Sequence, residues 1–148
     1  MYTLYAAGLA ALVAQILKPF CHRFISHQWK WKLFFATGGM PSSHSAAVAS
    51  LALATGLKDG FDSTGFAIAL VFGLIVCYDA ANVRYYAGQN IELTEKIVND
   101  LRELALLSVD DPVYEKKMKE VLGHTYVEVF FGLILGLAVS GILYLIMH

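Results

Sequence analysis

Two histidines stand where nucleophilic or acid–base chemistry would need them. His124 is followed four residues later by Glu128, so on a helix the two share one face. A carboxylate so placed holds one ring nitrogen as N–H and leaves the other to attack an electrophile. His44 follows the segment Gly38-Gly39-Met40-Pro41-Ser42-Ser43 and precedes Ser45. Two glycines permit unusual backbone angles, Pro41 stiffens the approach, and Ser42 or Ser43 can cap the helix that follows. Free N–H groups there would face an anion, with His44 in the first turn beside it. Lys18 and Arg84 add fixed positive charge suited to a doubly charged anion, and Asp79, about one turn before Arg84, can orient it. Each feature also has a plainer reading: a capped loop, an interfacial histidine with a bundle carboxylate, snorkelling cations, an interfacial acid.

The elements that must position these residues belong to a membrane. At 148 residues, 57% apolar and only 16% charged, the chain is too oily for an ordinary soluble domain. Residues 1–17, 63–78 and 129–147 carry no charge at all. Tyr2 to Leu17 would give about 24 Å of helix, close to a bilayer core of about 30 Å. Its end is followed by Lys18-Pro19-Phe20 and not by a small-residue cleavage site, so it reads as a retained span. Ser43 to Leu57 is shorter and rich in Ala and Ser, too short to cross alone and suited to packing against neighbours. Ser63 to Asn82 and Thr125 to Met147 are long enough to span. In the long polar stretch from Gly88 to Lys119, Ile97, Leu101, Leu104 and Ala105 recur at helical spacing, which predicts an amphipathic helix that Ser108 to Pro112 ends. The expected fold is therefore all-α: one polytopic membrane helix bundle over residues 1–148, with about four apolar helices (2–17, 43–57, 63–82 and 125–147) plus an amphipathic helix.

Segment order alone then brings four helix ends to one surface. Lys18 ends the first segment and His44 opens the second. Asp79 and Arg84 end the third, and His124 with Glu128 opens the fourth. The two long polar loops on that side hold ten of the eleven Lys and Arg residues, Lys58 being the exception, so the positive-inside rule makes this the cytoplasmic face. Arg23, Lys30 and Lys32 accompany Trp29 and Trp31 in the Cys21 to Phe35 loop, a mixture expected at a headgroup layer. No basic stripe with interleaved aromatics suggests nucleic acid. Cys21 and Cys77 sit in different settings and predict neither a disulfide nor a catalytic thiol. His44 and His124 lack surrounding carboxylates or thiols at ligand spacing, so no metal site is read.

Pro41-Ser42-Ser43-His44 with the downstream His124-x-x-x-Glu128 element resembles the type 2 phosphatidic acid phosphatases and vanadium haloperoxidases, specifically their small divergent bacterial and plant branch. The likeness covers nearly the whole chain, through Gln15 and Lys18, Gly38 to Ala46, Tyr78-Asp79-Ala80 with Val83-Arg84, Ala87-Gly88-Gln89 and Gly123-His124-Thr125. It implies a phosphohistidine mechanism with no metal and no cofactor. His124 would be the nucleophile, Glu128 its orienting acid in place of the family's usual Asp, and His44 the general acid. Lys18, Gly39, Ser42, Ser43 and Arg84 would bind the phosphoryl oxygens, with Asp79 orienting Arg84. The main superfamily has an arginine six residues before the nucleophile. Here that position is Met118, between Lys117 and Lys119, and Arg84 is the proposed substitute. Its first motif also ends in Arg-Pro, which is missing after Lys18.

The function expected is hydrolysis of a phosphomonoester or diphosphate, with an amphiphilic lipid phosphate favoured as substrate, at the cytoplasmic side of a bacterial plasma membrane or an organelle membrane. Membrane lipids are the expected surroundings, and a homodimer packed through Gly132 and Gly136, a small-xxx-small pair, is the expected way to thicken a thin bundle. The alternative is a non-enzymatic membrane protein that binds or conducts phosphate-like anions. Haloperoxidase chemistry is a third reading, disfavoured by so small a membrane-spanning chain.

Overall fold

A computed structural model describes residues 1–27, 29, 31, 34, 38–103 and 125–147, without the side chains of Ile25 and Arg102. The described residues are mostly helical, with no strand among them. α1 spans Tyr2–Ser26, α2 Ser43–Asp59 and α3 Thr64–Tyr78. A π-helical turn at Asp79–Val83 joins α3 without a break to α4, Arg84–Glu103, and α5 spans Tyr126–Met147.

Three stretches are long and apolar enough to cross a membrane: Tyr2–Phe24, Thr64–Leu101 and Tyr126–Met147. The count is one lower than the four apolar segments expected, because α2, at 17 residues, makes only about 25 Å of helix. α2 is instead the central element, packed against α1, α3 and α5. Its buried positions are small: Ser45, Ala46, Val48, Ala49, Ser50, Ala52, Ala54, Thr55 and Gly56. The outer helices turn large residues outward, including Leu9 and Leu12 of α1, Val71 and Phe72 of α3, and Phe130 and Ile134 of α5. Small residues inside and large ones outside is the arrangement of a bundle whose solvent is lipid, where close backbone approach replaces hydrophobic collapse as the source of packing energy. The protein is an integral membrane protein.

Helix directions follow from the contacts. A Cβ at Gly132 would lie 2.5 Å from the Ser42 carbonyl oxygen, and one at Gly136 would run into the Ala46 backbone, so α2 and α5 run parallel. Gly73 faces Val48 while Gly65 faces Thr55, so α3 is antiparallel to α2. Ala10 and Ala14 pack with Ala46, and Tyr2 and Ala6 with Ala54, so α1 is antiparallel as well. At the chain-terminal end the Tyr2 hydroxyl donates to the Ser140 carbonyl oxygen over 2.9 Å, and its ring lies 6.0 Å from that of Tyr144. At the other end α1 and α3 finish and α2 and α5 start.

Three expectations are corrected. The first span does not stop at Leu17: α1 continues through Pro19 to Ser26 and closes on His27 at φ 54°. Pro19 has no N–H to give the carbonyl four residues earlier and its ring crowds that carbonyl, so the continuation of α1 is held against that cost by its packing on α2 and α5. The Ser26 hydroxyl bonds back to the His22 carbonyl at 2.7 Å in the last turn. Nor does the third segment end at Asn82, since the π turn absorbs a local change of winding and the helix runs on. Thr64 to Glu103 is about 60 Å long, so α4 continues past the bilayer surface. It is the amphipathic helix expected in the polar stretch, although Leu104, Ala105 and the break at 108–112 lie outside the described residues. Finally, the Gly132 and Gly136 face is filled by α2 and is not a surface on which a second copy could dock.

Candidate active site

The site end of the bundle is built from the start of α2 outward. Ser42 is the N-cap, with extended backbone, and is fully buried. Its hydroxyl oxygen accepts the Ser45 N–H at 3.3 Å, which satisfies one of the donors a helix start leaves open. The Ser45 hydroxyl donates to the same oxygen at 3.1 Å. Gly39 holds φ at +94°, a conformation few side chains tolerate, and among the described residues none would crowd a Cβ added there, so the glycine answers to backbone angle. Ser43 is half-buried and His44 exposed in the first turn of α2.

Across from this cap, α5 begins with a capping box. The Thr125 N–H donates to Glu128 Oε2 at 3.1 Å, and the Glu128 N–H donates to Thr125 Oγ1 at 3.4 Å. The Glu128 carbonyl oxygen in turn accepts the Ser42 N–H at 3.0 Å, so main chain joins the α2 cap to the first turn of α5. The Thr-x-x-Glu signature ahead of an apolar run was present in the sequence, overlaid on the His-x-x-x-Glu spacing. His124 lies outside the described residues, directly before this box.

Lys18 is the third party. It is 1% exposed, on the inner side of α1. An ammonium group at that depth requires a countercharge, and the Glu128 carboxylate is near enough to act on it electrostatically. Three of the expected site residues, Lys18, Ser42 and Glu128, thus meet at the mouth of the bundle. One turn earlier on α1, Gln15 Nε2 donates to the Phe34 carbonyl oxygen at 2.7 Å and ties the following loop to the same helix. Phe20, Trp29, Trp31 and Phe34 form a chain of rings there, with successive centroids 5.2, 5.1 and 5.9 Å apart. Such an aromatic ledge belongs at the headgroup layer.

Arg84 and Asp79 come to this end by another route. Arg84 Nε donates to Asp79 Oδ2 at 2.7 Å, a charge-assisted bond between half-exposed side chains. Residues five apart do not face each other on an α-helix. The π turn between them, with its i→i+5 register, brings them into line, and the Arg84 N–H bonds to the Asp79 carbonyl as well. The π segment is held to α5 by the Tyr126 hydroxyl donating to Asn82 Oδ1 at 2.7 Å and by Ala80 and Ala81 packing on Val129. Arg84 therefore sits just beyond the α5 start, with Asp79 on its own helix as its carboxylate partner. Sequence reasoning did not single out Asn82, Tyr126 or Ser45, whose residue types carry no signal until their partners are known.

Comparison with known proteins adds a family to this geometry. The model of the Divergent PAP2 family matches residues 1–139. The chain is 38% identical over 143 residues to the uncharacterized membrane protein YuiD of Bacillus subtilis (strain 168), an alignment covering 93% of this chain and 90% of that protein. No solved structure matches.

Proposed function

Because the chain belongs to the Divergent PAP2 family, we propose that it is a membrane phosphatase acting on a phosphomonoester or diphosphate through a phosphohistidine intermediate. The observation that carries the reading is the meeting of Lys18, Ser42 and Glu128 at the first turn of α5, immediately after His124. A cation, a buried hydroxyl and a carboxylate at one helix junction suit a dianionic phosphoryl group flanked by an imidazole nucleophile.

In this mechanism a ring nitrogen of His124 attacks phosphorus, the bond from phosphorus to the leaving oxygen breaks, and His44 delivers a proton to that oxygen. Water, giving its proton to His44, then cleaves the phosphorus–nitrogen bond and releases inorganic phosphate. Lys18, the Ser42 hydroxyl, Ser43, the backbone after Gly39 and Arg84 bind the phosphoryl oxygens, and Asp79 fixes the Arg84 fork. Arg84 takes the place of the arginine that the main superfamily carries six residues before its nucleophile. The aromatic ledge from Phe20 to Phe34 favours a substrate presented from the membrane, a lipid phosphate, on the cytoplasmic face that the basic loops mark.

A phosphate-release screen on purified protein over lipid and soluble phosphates tests this. Turnover is expected on an amphiphilic phosphate, inhibition by orthovanadate, and loss of turnover in His124→Ala and in His44→Ala. Undiminished release from both variants would remove the mechanism. Binding of phosphate with no turnover on any ester would instead establish the anion-binding alternative.

A further inference from the structure

As a phosphoryl ligand, Ser42 can face the substrate either as a donor or as an acceptor. A serine hydroxyl has one hydrogen to donate and two lone pairs to accept with. In this fold both acceptor positions of Ser42 are occupied by a single residue. The Ser45 N–H arrives at 3.3 Å and the Ser45 O–H at 3.1 Å. Ser42 and Ser45 are both 0% exposed, so water does not compete for these positions. The Ser42 hydroxyl is thereby left with only its own hydrogen to offer, and no acceptor for that hydrogen lies among the described residues.

Ser45 is itself held in place from two further sides. Its Cβ would lie 3.0 Å from a Cβ added at Gly132 of α5, which fixes the side chain against that helix. The Cys77 thiol of α3 lies beside it.

We propose that Ser45 is a positioning residue for phosphoryl binding: by filling both acceptor positions of Ser42 it forces that hydroxyl to act as a donor, aimed at the anion. An undirected hydroxyl would present lone pairs to a phosphoryl oxygen in part of its rotamers, which is repulsive. A directed one presents only its hydrogen, with no reorganisation when the anion arrives.

This inference rests on the phosphatase reading, and a double-mutant cycle separates the two. Ser42→Ala, Ser45→Ala and the double variant are compared in kcat/KM on the substrate the screen identifies, and in the dissociation constant for orthovanadate. Ser45→Ala is expected to cost about tenfold, the loss of one directed hydrogen bond. In the Ser42→Ala background the same change is expected to cost less than about twofold, because there is no hydroxyl left to orient. Ser45→Cys, which keeps a weak donor in the same place, should recover part of the loss. A merely structural Ser45 would give the same fold-loss in both backgrounds, and that additivity would overturn the proposal while leaving the phosphatase reading intact. If the wild type turns over nothing but binds vanadate, the phosphatase reading fails and the cycle on vanadate affinity still decides for or against Ser45. Absence of both turnover and vanadate binding would overturn the two together.

Discussion

The Ser42 N–H donates to the carbonyl oxygen of Glu128 at 3.0 Å, which ties the cap of the central helix to the first turn of the last one. That bond depends on how closely α2 and α5 approach. The approach in turn depends on Gly132, where a Cβ would fall 2.5 Å from the Ser42 carbonyl oxygen, with no flexible side-chain tip there to yield. Gly132→Ala should force the helices apart and destabilise the protein by about 2 kcal/mol, within the range for overpacked cores. Phosphate release should fall further than the melting curve alone accounts for. Gly141→Ala is the control: open space surrounds that position, and alanine is the better helix former by roughly 1 kcal/mol. Thermal unfolding in detergent should show the first variant lowered and the second unchanged or raised.

The capping box at the start of α5 makes a separate prediction. Thr125→Ala removes the acceptor for the Glu128 N–H and leaves an open helix start directly after His124, at a cost of about 1 kcal/mol. Thr125→Ser keeps the oxygen and should restore the stability. If His124 is aimed by this turn, kcat should follow the same order, with KM little changed.

Arg84 and Asp79 should behave as one unit. Arg84→Ala is expected to raise KM by at least about tenfold, through loss of a charge-assisted bond to a phosphoryl oxygen. Asp79→Asn should give a smaller rise, since it removes the charge that fixes the guanidinium and not the guanidinium itself. Combined with Arg84→Ala, the Asp79 change should have no further effect. Independent effects of the two changes would show that Asp79 acts on something other than Arg84.

Much of this arrangement could be read before any coordinates. The convergence of four helix ends needed only the order of apolar segments, because alternate connections in a bundle must lie on one side. The small, serine- and alanine-rich α2 announced itself as an inner helix by having too little side chain to prefer lipid. Gly132 and Gly136 declared a close approach but not the partner, since spacing marks a flat face and says nothing of which helix fills it; the partner is α2 and not a second copy. The depth of Lys18 was hidden because Lys18-Pro19 looks like the end of a span: an interior proline ordinarily kinks or ends a helix, and here packing on α2 and α5 carries α1 past it. Asp79 to Val83 has no compositional mark of a π turn, so the alignment of Asp79 with Arg84 could be expected only as about one turn. At Glu128 two signatures share one residue: the carboxylate caps its own helix and also faces Lys18, and sequence spacing cannot rank those duties.

That double duty at Glu128 can be separated by removing the charges one at a time and then together. Lys18→Met alone leaves the half-buried Glu128 carboxylate without its cation, and Glu128→Gln alone leaves the buried Lys18 ammonium without its anion. Breaking a pair of which only one member is fully buried should cost about 2 kcal/mol, less than for a pair buried on both sides, because one charge remains in a poor solvent. Glutamine still serves a capping box, so the α5 start survives in the second variant. The double variant, Lys18→Met with Glu128→Gln, carries no stranded charge, and its stability should return to within about 1 kcal/mol of the wild type. Phosphate release should not return with it. If Lys18 binds the phosphoryl group and Glu128 orients His124, turnover in the double variant should stay at least about 100-fold down, the scale set by removing a single transition-state donor. Chemical denaturation and phosphate release measured on the same preparations decide the matter. Recovery of both quantities would mean that the pair only holds the bundle together and that the phosphoryl group is bound elsewhere.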